Sequence, residues 1–277
     1  RNHMDLKLRD VHVLITGASG GIGLETARLF LAQGAKVTAH YNTSSSPLDA
    51  LVEEYGTARV ARTQANLVNE DDVDHLFSSA SNTLGPVQIV VINHGIWPTA
   101  DEPVESMSLD RWRTTLDVNL TSAFLVSRAY LKQLRNASED QQHTASMLFI
   151  GSTAGKYGEA GHADYAASKS ALMYGLVLSL KNEIVKIAPR GRVNAVGPGW
   201  VKTPMAEAAL KDPQVVYRAV ATTPLKKVAE TWDIATQVVM LSSPSVSGHV
   251  TGQVVMVEGG MEGRLLNQMT ANGIQAY

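Results

Sequence analysis

Short apolar, β-branched runs recur along the chain, at Val11–Ile15, Lys36–His40, Arg59–Ala61, Val87–Ile92, Ser146–Ile150, Arg192–Val196 and Gln253–Val257. Stretches with helical spacing of apolar positions lie between them, at Ile22–Gln33, Pro47–Tyr55, Glu70–Leu84, Leu109–Leu134, Ala163–Ile187 and Thr231–Leu241. Strand and helix in alternation predict a parallel sheet with helices on both faces. Seven such strands predict an α/β chain with a single-domain, doubly wound (Rossmann) parallel sheet. Ligands of that architecture bind beyond the carboxyl ends of the strands. Gly17, Asn93, Ser152 and Pro198 each follow a strand run and so converge on that edge.

One domain is expected over residues 5–277, without internal repeat or low-complexity linker. Arg1–Met4 looks like a cloning remnant and is set aside. Ser44-Ser45-Ser46-Pro47 reads as a loop entering a helix, with Ser46 as cap and Pro47 in the first helical position. Residues 198–230 are rich in Pro, Ala and Lys and show no clear strand. They are expected to lie over the binding edge as a substrate loop, like a lid. Residues 261–277 form a polar tail of mixed pattern.

Two motifs carry chemistry. Gly17-x-x-x-Gly21-x-Gly23 joins the first strand to the first helix. Such a turn suits a dinucleotide pyrophosphate, held by backbone N–H groups and the helix dipole. An ordinary turn is the plain alternative. Further on, Tyr165 and Lys169 lie four residues apart, on one helix face. A phenol beside an ammonium is a natural proton donor, and the positive charge is expected to lower the phenol's pKa toward working pH. A half-buried tyrosine beside a surface lysine is the plain alternative. Order and distance tie the two motifs together: a nicotinamide hydride plus a tyrosine proton reduces a carbonyl to an alcohol.

With these pieces the chain resembles the short-chain dehydrogenase/reductase family over about residues 8–260. The matching segments are Thr16-Gly17-Ala18-Ser19-Gly20-Gly21-Ile22-Gly23, Asn93-His94-Gly95, Asn119 in Asp117-Val118-Asn119, Ser152 in Ile150-Gly151-Ser152, Tyr165-Ala166-Ala167-Ser168-Lys169 and Pro198-Gly199. The resemblance implies four catalytic residues. Tyr165 moves the proton, Lys169 tunes it and holds the nicotinamide ribose, Ser152 stabilises the substrate oxygen, and Asn119 holds a water linking Lys169 to solvent. It also implies cofactor contacts from Gly17, Ser19, Gly21, Ile22 and Gly23, from Asn66 and Leu67 beside the adenine, from Asn93 and Gly95, and from Pro198, Gly199, Val201 and Thr203 beside the nicotinamide amide. One segment departs from the family pattern: Asn-Asn-Ala-Gly is usual where this chain has Ile92-Asn93-His94-Gly95.

Which dinucleotide is bound turns on the second strand's end. Thr38-Ala39-His40-Tyr41-Asn42-Thr43-Ser44 holds no carboxylate to bond a ribose 2′-hydroxyl, and no arginine. Tyr41, Asn42, Thr43 and Ser44 are expected around the adenosine ribose. The missing acid favours NADP, with NAD as the alternative.

A net charge of −2 gives no reason to expect nucleic acid or a membrane surface as partner. The chain has no cysteine, which excludes disulfides and thiolate metal sites and fits a reducing, cytoplasmic setting. No signal-peptide core and no apolar run of the ~20 residues of a membrane span are present. Eight scattered histidines lack metal-ligand spacing, so no metal is expected. His162, one turn before Tyr165, is either a surface histidine or a pocket border. The four tryptophans do not cluster in sequence; Trp97 and Trp200 follow strand ends and suit a substrate wall or plain packing.

The reading is an NADP(H)-dependent oxidoreductase of a small-molecule carbonyl or secondary alcohol. A dinucleotide-binding regulator without turnover is one rival, and an epimerase or dehydratase another. The apolar excess of Leu109–Leu134 and Ala163–Ile187, helices that pair across a two-fold in the resembling family, predicts a homotetramer, with Gly252–Val257 and the tail as a second contact.

Overall fold

The expected strands form. A computed structural model describes residues 4–263. Its strands β1 (His12–Ile15), β2 (Lys36–Tyr41), β3 (Val60–Gln64), β4 (Ile89–Ile92), β5 (Ser146–Ile150), β6 (Arg192–Pro198) and β7 (Val254–Val257) make one parallel sheet in the order β3-β2-β1-β4-β5-β6-β7. β3 runs on past Ala61 because β2 pairs with it as far as Tyr41↔Gln64. The chain reverses direction of winding between β1 and β4, which places the ligand crevice at their carboxyl ends.

Alternate side chains of each central strand feed two separate cores. Leu14, Val90, Ile92, Met147 and Phe149 join one cluster with α3 (Glu70–Leu84) and α5 (Ser122–Leu134). Val13, Ile15, Ile89, Val91, Leu148 and Ile150 join the other, with α1 (Gly21–Ala32) and α11 (Thr231–Ser242). All four β4 residues are at most 1% exposed, as a strand covered on both faces requires. α2 (Asp49–Tyr55) flanks the β3 side. α3 starts where sequence chemistry says it must: the Asn69 side chain accepts from the Asp71 and Asp72 amides at 2.9 and 3.2 Å, and three acids fill the first turn.

Two expected helices are each interrupted. Leu109–Leu134 consists of α4 (Leu109–Leu116), a π turn at Asp117–Thr121 and α5; Asn119 sits within that turn. Ala163–Ile187 consists of α8 (Ala163–Ser170), a π turn at Ala171–Leu176 and α9 (Val177–Ile184). Such bulges place extra residues without breaking the helix and recur at functional sites. Three short helices escape the periodicity: α6 (Glu139–His143), α7 (Thr153–Tyr157) and α10 (Pro213–Val220). Ser46 does not cap α2; a 3-10 turn at Ser46–Leu48 intervenes, and the Ser46 hydroxyl meets that of Ser44. The 198–230 segment has no named strand beyond the end of β6, only a single bridge between Val201 and Ala229, so the chain crosses above the sheet edge as a loop carrying α10. The first three residues and the tail from 264 onward lie outside the described residues. No described helix is long and apolar enough to cross a membrane.

Candidate active site

A cavity of about 580 Å³ opens at the carboxyl edge of the sheet. Its lining includes Gly17, Ser19, Gly21, Ile22, Asn42, Thr43, Asn66, Leu67, Asn93, Gly95, Ser152, Tyr165, Lys169, Pro198, Gly199, Val201 and Thr203. Among the expected site residues, Gly23, Tyr41, Ser44 and Asn119 stand outside it. Tyr41 packs against the core beside α1 and α11, and Ser44 is exposed.

The glycine loop is held by backbone fit. Gly17 turns with a φ of +63°, which a side chain rarely tolerates. A Cβ on Gly23 would stand 2.3 Å from the Gly17 carbonyl oxygen and 2.6 Å from Asn93 Nδ2, so Gly23 serves closeness of packing from behind the cavity. Asn93 does not stand free at the site: its Nδ2 donates to the Thr16 and Gly17 carbonyls at 3.1 and 3.0 Å. α1 begins at Gly20 with no side-chain cap and no acid in its first turn. Its first N–H groups therefore lack the partners a helix start normally recruits, and an anion fits there.

Two histidines that sequence reasoning did not single out complete this half. His40 Nδ1 accepts from the Gly17 amide at 3.0 Å, and its Nε2–H donates to the Ala65 carbonyl at 2.9 Å. Both ring nitrogens are spoken for only if the ring is neutral, and burial holds its pKa below the usual histidine value. His94 Nδ1 and Nε2 lie 2.7 and 2.6 Å from the Thr16 and Ser122 hydroxyls, so it ties β1 to α5. Burial pushes its pKa down to about 3. The signal for His94 was present in sequence, as the residue standing where the related pattern has alanine.

In the other half, α7 and α8 bring the chemistry together. Ser152 caps α7, its Oγ accepting from the Ala154 amide at 3.1 Å. Lys169 is 4% exposed; its Nζ donates to the Ile150 carbonyl at 2.9 Å and lies 5.7 Å from the centroid of the Tyr165 ring. Burial lowers the Lys169 pKa to about 8. The expectation for Tyr165 is overturned. Burial pushes its pKa up to about 12, the Ser152 hydroxyl opposes this, and the Glu159 charge adds to it. Desolvation of the phenolate outweighs the neighbouring ammonium.

Asn119 is fully buried, and its side chain clamps rather than lines. Oδ1 accepts from the Ile96 amide at 2.8 Å, and Nδ2 donates to the Ile96 carbonyl and Ser168 hydroxyl at 3.0 and 3.1 Å. Beneath Tyr165, Asp164 is also fully buried. Burial alone raises its pKa, but Arg111, Thr115 and the Tyr165 amide reverse that and hold it low. Arg111 Nε reaches Asp164 at 3.1 Å while its other nitrogens hold Glu102 and the carbonyls of Ala100 and Gly161. This buried fork fixes the start of α8 against the loop after β4.

The outer wall is aromatic and acidic. Trp97 stacks on His162 with centroids 4.9 Å apart and meets Trp200 edge-on at 5.9 Å. Two of the four tryptophans thus do gather in space. His162 is 2% exposed, so it is a buried support for the wall and not a surface residue. Trp97 Nε1 donates to Glu159 Oε1 at 3.2 Å.

Comparison with known proteins accords with this geometry. The family model described as enoyl-(acyl carrier protein) reductase matches residues 17–262. The chain belongs to the short-chain dehydrogenase/reductase family. It is an oxidoreductase of that family, 34% identical over 252 residues to a 3-oxoacyl-[acyl-carrier-protein] reductase of Synechocystis sp., covering 90% of this chain and 95% of that one. Nodulation protein G of a Rhizobium species is 37% identical over 249 residues, covering 90% and 95%. Among solved structures, a short-chain dehydrogenase/reductase from Brucella melitensis titled glucose/ribitol dehydrogenase superposes with a TM-score of 0.82 at 30% identity, covering 94% of this chain and 99% of that one. The short-chain dehydrogenase/reductase fold accounts for the seven-stranded sheet and for the place of the cavity on it.

Proposed function

We propose that this enzyme reduces a ketone to a secondary alcohol with NADPH. The observation that carries the reading is the meeting of Ser152, Tyr165 and Lys169 with the glycine loop in one cavity. The uncapped start of α1 and the close backbone fit at Gly21 and Gly23 suit a dinucleotide pyrophosphate, so Gly17–Gly23 would hold it. Asn42 and Thr43 would contact the ribose phosphate, and Asn66 and Leu67 the adenine. Pro198, Gly199, Val201 and Thr203 would border the nicotinamide, which when bound supplies a hydride.

The protein's own part is proton delivery. Tyr165 gives its proton to the carbonyl oxygen, with the Ser152 hydroxyl donating to the same oxygen as negative charge develops. A phenol whose pKa stands at about 12 stays protonated at neutral pH, which suits reduction better than oxidation. Lys169 has three N–H donors and spends one on Ile150. The other two serve the ribose hydroxyls and the phenol. Asn119 acts through the Ile96 segment and Ser168, as a positioning residue that keeps Lys169 and Gly95 in register.

Names of the relatives point to ketones of the 3-oxoacyl type. The test is NADPH consumption, followed by absorbance, against a panel of ketones with and without a thioester. No turnover of any ketone would overturn the reading in favour of a dinucleotide-binding regulator.

Assembly belongs to the same proposal. Phe124, Tyr174, Leu178 and Val185 are large apolar side chains left 47%, 43%, 39% and 41% exposed on α5 and the α8–α9 helix. Such exposure along two long helices supports a two-fold interface and a homotetramer. Light scattering is expected to give about four times the 29.7 kDa chain mass, and a species at the monomer mass would reject it.

A further inference from the structure

The substrate half of the cavity presents the Glu159 carboxyl, whose ion-pair neighbour among the described residues is the His162 ring at 3.7 Å. No lysine or arginine forms an ion pair with Glu159 among the described residues. The neighbouring cations are committed elsewhere: Arg111 to Asp164 and Glu102, and Lys169 to the Ile150 carbonyl. Asp101 adds a second carboxylate on the solvent side. One Glu159 oxygen accepts the Trp97 indole N–H, which fixes the carboxylate's orientation and leaves the second oxygen for a ligand.

His162 supports this carboxyl from behind the cavity wall. Its Nε2–H donates to the Pro98 carbonyl at 2.7 Å. The buried Nδ1 then has no hydrogen-bond partner and faces Glu159 Oε1 at 3.7 Å and Asp101 Oδ1 at 3.6 Å. Trp97 and Trp200 meet edge to face beside it and supply aromatic surface, which attracts cations. The free Glu159 oxygen and the tryptophan rings of this wall accept positive charge or N–H groups.

We propose that the substrate side selects carbonyl compounds that also carry a protonated amine, with the ammonium bound by Glu159 against Trp97 and Trp200. This rests on the ketone-reduction reading for the carbonyl, and it adds the class of the remote group. Glu159 also influences Tyr165 electrostatically, so the ammonium site and the reacting oxygen lie within reach of one small molecule. Occupation by a cation would relieve the Glu159 charge that Tyr165 feels and so favour proton movement at the phenol. The same wall disfavours ketones bearing a carboxylate or phosphate near the carbonyl.

The probe is binding, read apart from turnover. Cyclohexylammonium and cyclohexanol have similar shapes and differ in charge. Calorimetric titration of each into the protein with NADP+ at about pH 7.5, where the amine is protonated, is expected to show the ammonium bound about tenfold more tightly, since charge-assisted hydrogen bonds exceed neutral ones. Glu159→Gln is expected to remove the preference. Trp200→Leu, which leaves the carboxylate in place, is expected to reduce it by a smaller factor; it carries the test if Glu159→Gln does not fold. Equal binding of the two probes to the wild type overturns the proposal, as does a preference that survives Glu159→Gln. A protein that prefers the ammonium yet reduces no ketone keeps this site and refutes the reductase reading. One that reduces neutral ketones and shows no such preference refutes this site alone.

Discussion

The two ends of the cavity are built by different means. At the glycine loop the contacts are made by backbone, glycines and neutral imidazoles, and no charged side chain lines it. At the Tyr165 end, Lys169 and Glu159 bring charge, and burial moves the titration of Tyr165 and Lys169 in opposite directions. A site of the first kind depends on shape and is broken by adding atoms. A site of the second kind depends on protonation and is broken by changing pH or one functional group.

The sharpest division comes from Tyr165→Phe. It removes one oxygen at the charged end and is expected to cut ketone turnover by about 10²–10⁴-fold, with NADPH affinity changed by only a few-fold. Turnover numbers and cofactor titration together check it; wild-type turnover would refute the proton-donor assignment.

The converse change is Gly23→Ala. The added methyl lies 2.3 Å from the Gly17 carbonyl oxygen, so the loop must shift. Overpacking of this kind costs about 1–3 kcal/mol. NADPH affinity and thermal stability are expected to fall together, while the Lys169 titration stays where it was. Unchanged cofactor affinity would show that the loop does not bind the pyrophosphate.

Cofactor choice tests the neutral end by charge. Asn42→Asp places a carboxylate where the 2′-phosphate is expected, and Asn42→Arg a partner for it. The first should weaken NADPH and spare NADH; the second should improve NADPH by about 1.5–3 kcal/mol at best. The ratio of kcat/KM for the two cofactors decides, and a wild-type ratio favouring NADH refutes the NADP assignment.

The smallest effect is a pH limb. Lys169 has a pKa lowered to about 8, so its charged form prevails below that pH and is lost above it. Reduction is expected to decline as pH rises through about 8, approaching tenfold per unit. Tyr165, at about 12, contributes no limb there. In Lys169→Arg the surviving activity should show no such decline, because guanidinium stays charged. A profile flat to about pH 10 in the wild type would separate the ammonium from the mechanism.

Much of this was legible in the sequence because it depends on spacing along the chain. Strand runs, the glycine turn and the Tyr165–Lys169 pair each lie within a few residues of one another, and the structure has them where the pattern puts them. Side chains whose role depends on which strand faces which were not legible. His40 matters because β2 lies beside β1, bringing its ring under the Gly17 amide. The Trp97–His162–Glu159 wall joins the loop after β4 to the loop before α8, 62 and 65 residues apart in sequence. Tyr165 was misjudged for a different reason: the spacing revealed its cation, but not the burial that outweighs it. The π turns were hidden because one inserted residue leaves apolar periodicity nearly intact.

Strand order also bears on how the enzyme is made. β3, β2 and β1 lie side by side at one edge, within the first 64 residues, whereas β4 to β7 are added outward from β1 in order of synthesis. A chain emerging from the ribosome at ~5–20 residues per second can therefore assemble the glycine loop and its helix while Ser152, Tyr165 and Lys169 are not yet translated. Each later strand then docks on an edge already present. The completed β4 edge must wait for β5 across 53 residues and the β6 edge for β7 across 55, so these exposed apolar edges are points in biogenesis open to misassociation.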